Sequence, residues 1–146
     1  MVPLKDLKEK IALFQSKFRN SNLPHFKISG LYDLCPQLPR TNLEKIEGAW
    51  PDQWPNSDQP GVYLILNEKL ELLYVGKASM RNVMGVRLSS YFNGSAKGPC
   101  KICPGWQGEP RYLFTIGMPK ETSFEAAALE EYLIRELSPP ENVRGK

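Results

Sequence analysis

The strongest constraint on how this chain folds is a pair of short aromatic motifs, Gly61-Val62-Tyr63 and Tyr74-Val75-Gly76, with their tyrosines eleven residues apart. Valine and tyrosine fit a pleated, half-buried surface. The residues between them include Asn67-Glu68-Lys69, a polar stretch suited to a turn. Val62 to Leu66 and Leu70 to Val75 are therefore expected to pair as an antiparallel hairpin.

Periodicity organises the rest. Leu4, Leu7, Ile11, Phe14 and Phe18 recur at helical spacing, with Lys5, Lys8, Glu9 and Lys17 on the wet side, until Ser21-Asn22-Leu23-Pro24 breaks the pattern. Phe26 to Leu34 alternates weakly, and Thr41 or Asn42 could cap a short helix through Ile46. The run WPDQWPNSDQP, Trp50 to Pro60, is too rich in proline for regular structure, and its two tryptophans favour a connector that packs. Beyond the hairpin, Val83 to Phe92 reads as a helix weakened by Gly85, Asn93 to Pro110 as a loop, and Arg111 to Gly117 as a third strand. Thr122 or Ser123 should cap a last helix, with Glu125 completing a capping box. Phe124, Ala127, Ala128, Leu129, Leu133, Ile134 and Leu137 would line its buried side, and Pro139-Pro140 would stop it. The expected fold class is α/β (α+β): a small three-stranded antiparallel or mixed sheet flanked by helices over residues 60–146, preceded by a helical extension and connector over 1–59.

A length of 146 residues suits one well-cored domain with an appendage. No apolar run approaches a membrane span, and charges are spread through Met1 to Phe18 rather than arranged as a secretory signal, so a cytoplasmic protein is expected. The net charge of +3 does not by itself point to nucleic acid. Its distribution does more: Lys77, Arg81, Arg87, Lys97, Lys101 and Arg111 fall between Tyr74 and Tyr112, where Glu109 is the only acid. That stretch is either a nucleic-acid footprint or a solvated basic face.

Several chemistries are excluded. His25 is the only histidine and lies away from the tyrosine motifs, which argues against a Ser-His or Cys-His nucleophile. Glu71 stands where a phosphate-binding loop ending at Lys77 would need its first glycine, and no aspartate cluster offers a two-metal centre. Cys100 and Cys103 have the spacing of half a zinc site, with only Cys35 and His25 to complete it. They read first as inert loop cysteines, second as zinc ligands and last as a redox pair.

The segment GVYLILNEKLELLYVGKASMRNVMGVRLSSYF resembles the opening of the GIY-YIG nucleases. It looks more like the N-terminal nuclease domain of the bacterial excision-repair incision protein than like homing enzymes. That family places two tyrosines, a lysine after the second motif, and an arginine followed four residues later by tyrosine; here these fall on Tyr63, Tyr74, Lys77, Arg87 and Tyr91. EAAALEEYLIRELSPPENV is similar to the family's final helix, whose metal-ligating glutamate and following asparagine fall on Glu130 and Asn142. The resemblance spans Pro60 to Val143. It implies a magnesium- or manganese-dependent endonuclease acting on DNA, with these seven residues at its site.

The implied chemistry is coherent for cutting a phosphodiester. Arg87 would grip phosphate oxygens through its charged fork, and Glu130 would hold a metal ion that keeps most of its waters. Tyr63 or Tyr74 would act as base, with Lys77 favouring the phenolate. Asn142 would hold the loop end in shape, and Tyr91 could equally be a packing residue. The stretch between the second motif and Arg87 is about three residues longer than the family pattern, and the cysteine loop looks enlarged. Substrate choice is expected from residues 1–59, the cysteine loop, self-association or a protein partner. Double-strand cutting would call for a homodimer, since one site cuts one strand. The alternative class is a nucleic-acid-binding module that grips a backbone without cutting.

Overall fold

The computed structural model describes residues 1–92, 103 and 105–142. In chain order the elements are α1 (Leu4–Phe18), β1 (Lys27–Ile28), β2 (Leu31–Asp33), β3 (Ile46–Ala49), β4 (Gly61–Leu66), β5 (Leu72–Ala78), α2 (Met84–Tyr91), β6 (Tyr112–Gly117), a short 3-10 turn (Lys120–Thr122) and α3 (Glu125–Leu137). The expected hairpin is β4 and β5, antiparallel, with Tyr63 opposite Gly76. Strand β6 pairs antiparallel with the other side of β4, so β4 is flanked on both edges and all six of its residues are buried.

Alternation along β4 sorts its side chains between two cores. Val62, Leu64 and Leu66 pack with Leu7 and Ile11 of α1 and with Ala126, Leu129 and Leu133 of α3. Tyr63 and Ile65 face the other way, toward Met84 and Leu88 of α2 and Trp54 of the connector. The Trp/Pro segment thus packs: the Trp54 indole N–H donates to Ser89 Oγ on α2 at 2.9 Å.

The sheet is larger than the three strands expected. Its order is β3-β2-β6-β4-β5, with β1 also on β6, and β2–β3 is a parallel pair. Residues 27–49 supply the additional strands, so the segment 1–59 is a helix plus three strands of the common sheet rather than a helical extension. The helix expected after Thr41 does not form, because its capping side chains are engaged elsewhere. Thr41 donates through N and Oγ1 to Glu68 Oε1, and Asn42 Nδ2 donates to Tyr112 Oη at 2.9 Å.

The capping box at α3 is also absent. Glu125 is drawn to Arg19, which donates to both its carboxylate oxygens at 2.7 and 3.1 Å, and Thr122 Oγ1 is buried without a partner. Phe124 stands at the helix start without a side-chain cap. The inner face is accordingly Ala126, Leu129 and Leu133, while Phe124, Ala127 and Ala128 are exposed. Among the described residues no helix is long and apolar enough to cross a membrane.

Candidate active site

Strand β5 is an edge of the sheet, and the candidate site is built around it. Helix α3 ends at Leu137, where Ser138 takes a left-handed conformation (φ 46°) and turns the chain back toward β5. Asn142 then pairs that edge as a neighbouring strand would: its Oδ1 accepts from Val75 N–H at 2.7 Å and its Nδ2 donates to Val75 O at 2.8 Å. Glu141 N–H donates to Leu73 O beside it.

Tyr63 is buried across the strand pair. A Cβ on Gly76 would sit 2.3 Å from Tyr63 Cζ, so only glycine leaves room for the ring to lie over the β5 backbone. The Tyr63 ring centre is 6.2 Å from that of Tyr74 and 6.3 Å from that of Tyr91. The three phenols are thus close enough to influence one another's ionisation. On α2, Arg87 and Tyr91 are four residues apart and share a face; Arg87 Nη1 donates to Tyr91 Oη at 3.0 Å, while Arg87 Nε is buried without a partner. From β5 and α3, Lys77 Nζ stands 3.8 Å from Glu130 Oε1, with both side chains partly exposed.

The electrostatics of Tyr74 tie these groups into one site. Burial raises its pKa, the nearby Tyr91 and Glu130 raise it further, and hydrogen bonding to Tyr63 and the charge of Arg87 oppose the rise. Tyr63 is pushed far above the usual phenol value, chiefly by burial and then by Tyr74 and Tyr91. The expectation that Lys77 stabilises a phenolate is therefore corrected. Lys77 faces Glu130, and both tyrosines are environments for a neutral phenol. Glu131, adjacent in sequence, is exposed.

The basic set separates. Lys77 and Arg87 lie at the site, and Arg81 is exposed on the loop before α2. Lys97, Lys101 and Cys100 lie outside the described residues. Arg111 is not available to nucleic acid. It is 5% exposed, donates to both Asp33 carboxylate oxygens at 2.9 and 3.2 Å, and reaches Glu68 and the Leu38 and Pro39 carbonyls. Burial works against its charge, but the bonds and charge of Asp33 outweigh this and raise its pKa. Cys103 is disulfide-bonded, and burial raises the pKa of the Cys35 thiol. Among the described residues no group of three or more His, Cys, Asp or Glu gathers as a metal cage.

One residue of the site was not legible in sequence. Trp106 lies with its ring centre 5.3 Å from that of Tyr74. It falls in a glycine- and proline-rich stretch with no periodicity, so nothing in the pattern marks it.

Residues 59–143, more than half of the chain, match the family model of the UvrC-like GIY-YIG domain. Among curated relatives, the chain is similar to the UvrABC system protein C of Alkaliphilus oremlandii, at 36% identity over 88 residues, and of Chromohalobacter salexigens, at 34% over 87. The protein of the same name from Desulforudis audaxviator is 38% identical over 87 residues. These matches cover about 60% of the chain but only 13% of each relative. No solved structure gives a significant match. With the family model matched from before the first tyrosine motif to just past Asn142, the chain belongs to the UvrC-like GIY-YIG domain family.

Proposed function

We propose that this chain is a metal-dependent endonuclease that hydrolyses phosphodiester bonds of DNA. The carrying observation is the convergence on Tyr74. The Tyr63 ring of β4 lies 6.2 Å from that of Tyr74 and 6.3 Å from that of Tyr91, Arg87 of α2 donates to Tyr91 Oη, and Lys77, on the same strand as Tyr74, stands 3.8 Å from Glu130 of α3. A packing arrangement has no need of a carboxylate and two cations beside a cluster of phenols, whereas a phosphate needs both a cationic grip and a site for a counter-cation.

Each side chain then has a task. Arg87 binds non-bridging phosphate oxygens, and its buried, unpartnered Nε–H is a donor held ready for such an acceptor. Lys77 adds positive charge beside Glu130. Tyr74, as a neutral phenol, orients the attacking water through Oη. Tyr63 and Tyr91 fix the hydroxyl network, and Asn142 locks the β5 edge that carries Tyr74 and Lys77. Glu130 fits a hard divalent cation, because it is a single, partly exposed carboxylate on a helix and magnesium is commonly held by one or two carboxylates plus water. Bound there, magnesium or manganese would supply charge neutralisation at the phosphate. The relatives' name places them in a UvrABC system; for this chain a DNA substrate and a protein partner supplying specificity are the corresponding proposals.

The test is cleavage of supercoiled plasmid with magnesium or manganese, beside Glu130→Gln, Arg87→Ala and a chelator control. Cutting should vanish in all three controls, with DNA binding by Arg87→Ala only modestly weaker. Equal loss of binding and cutting would make Arg87 a DNA-positioning group. DNA binding without cutting under any metal would establish the binding-module alternative. Nicked product predicts a monomer, and linear product a homodimer.

A further inference from the structure

Trp106 is held against Tyr74 by a specific clasp. Its own N–H donates to Cys103 O at 2.9 Å, closing a turn. The next two backbone N–H groups, of Gln107 and Gly108, both donate to Glu141 Oε1 at 3.1 Å. Glu141 is 3% exposed and its N–H is bonded to Leu73 O, so the carboxylate is anchored to β5 itself. Gly108 closes the contact, since a Cβ there would lie 2.4 Å from Leu73 Cδ2. Residues 141 and 142 therefore pin two things to one strand edge: Asn142 fixes the β5 backbone at Val75, and Glu141 fixes the segment that lays Trp106 on Tyr74.

Burying a carboxylate is costly unless it is well bonded, and Glu141 leaves Oε2 buried without a partner. An apolar residue could fill the space without that penalty. What it could not do is gather two consecutive N–H groups at one oxygen and so hold the backbone next to Trp106.

We propose that Trp106, clasped by Glu141, is a positioning residue for the cleavage reaction: it fixes the ring of Tyr74, and hence the direction of its hydroxyl toward the attacking water. The inference rests on the nuclease reading for its reaction, while the clasp itself stands on geometry alone. Tyr63 reaches the same ring at 6.2 Å and Trp106 at 5.3 Å, so removing Trp106 leaves Tyr74 with one fewer aromatic neighbour and with rotational freedom. A displaced reacting group loses rate even when substrate binding is intact, by roughly 10- to 100-fold for shifts of up to about 1 Å.

The experiment pairs kinetics with a readout independent of cutting. In Trp106→Ala, kcat should fall roughly 10- to 100-fold with KM nearly unchanged, and Trp106→Phe, which keeps an aromatic face, should restore most of it. A rise in KM with kcat intact would make Trp106 a DNA-contacting group and overturn the proposal, as would unchanged kinetics. In parallel, 3-fluorotyrosine at position 74 reports ring position by fluorine NMR. Its resonance should move in Trp106→Ala and in Glu141→Leu, and stay near the parent position in Glu141→Gln, whose amide oxygen still accepts both N–H groups. An unmoved resonance in Glu141→Leu or Trp106→Ala overturns the clasp whether or not the chain cuts DNA. If Glu141→Leu does not fold, Trp106→Ala alone decides. Absence of cutting by the parent chain with the fluorine shifts as expected would sink the nuclease reading and the kinetic role together, and leave the clasp standing as structure only.

Discussion

At the scale of single residues, small or amide side chains set the positions of larger ones at the candidate site. Gly76 is the clearest case, because its missing Cβ is the space the Tyr63 ring occupies. Gly76→Ala should destabilise the fold by about 1–3 kcal/mol, the range for overpacking a tight core, and should cost cutting beyond any loss of folded protein, since the ring it displaces lies 6.2 Å from that of Tyr74. Denaturant midpoints compared with activity per folded molecule measure both; a variant as stable and as active as the parent would show that the ring has room to give. Asn142 makes the complementary argument. Its amide is matched to one N–H and one carbonyl of Val75, with both bonds buried. Asn142→Ala leaves both backbone groups unpaired, at about 1–3 kcal/mol each, and should lower the thermal midpoint accordingly. Asn142→Asp retains the acceptor but turns the donor into a carboxylate facing Val75 O, so it should be no better than alanine. Recovery in the aspartate would point to the N–H contact as the one that matters.

Between elements, buried charge sets the docking. Helix α1 is held on α3 by Arg19 and Glu125, whose side chains are 5% and 9% exposed, with the guanidinium 3.9 Å from the Phe26 ring centre. Removing one partner strands the other, so Arg19→Ala should destabilise by about 3–5 kcal/mol, and replacing both by apolar residues of similar volume should recover much of that. A double-mutant cycle in urea measures the coupling, and a value near zero would mean that α1 docks on its apolar face alone. The same pair explains where sequence reading stopped. The hairpin, α1, α2 and β6 were legible because each carries its own period: Leu4, Leu7, Ile11 and Phe14 at helical spacing, and Val62, Leu64 and Leu66 at every second residue. The first turn of α3 was misread because Glu125 satisfies a local capping pattern yet is claimed by Arg19, 106 residues away. Strands β1 to β3 were missed for a related reason. They are two to four residues long, and pairing with β6 and with each other holds them in place. Arg111 sits in a basic stretch of sequence, but the fold pairs it with Asp33 and Glu68, which are distant in the chain. The residues of the candidate site were nameable in advance because the motifs that carry them resemble those of the GIY-YIG family. Trp106 was not, because its place depends on the carboxylate of Glu141.

For the molecule as a whole, the buried phenols couple stability to alkaline pH. Tyr32 is pushed up to about 12, mainly by burial and then by Asp52, and its hydroxyl donates to Asp52 O at 2.7 Å. Tyr63 is raised further, again mainly by burial. In the unfolded chain both would titrate near the ordinary tyrosine value of about 10. Below that pH both states hold the protons, and these groups contribute no slope. Above it the unfolded chain loses protons that the folded chain keeps, so the unfolded state is favoured and stability falls as pH rises. Each such tyrosine contributes about 1.4 kcal/mol per pH unit once the unfolded phenol is mostly ionised; for Tyr32 the slope ends near its folded value of about 12. Denaturant midpoints followed upward from neutral pH should therefore be level on this account and then decline above pH about 10. Phenolate absorbance of these two residues should appear with unfolding rather than before it. Tyr63→Phe should make the decline shallower, although it removes a hydroxyl from the site, and the Tyr32→Phe, Tyr63→Phe double variant should flatten it further. Were the parent's full phenolate signal to develop near the ordinary value while near-ultraviolet circular dichroism stayed native, the tyrosines would be solvated. The buried, neutral phenol of Tyr63 would then not exist in solution.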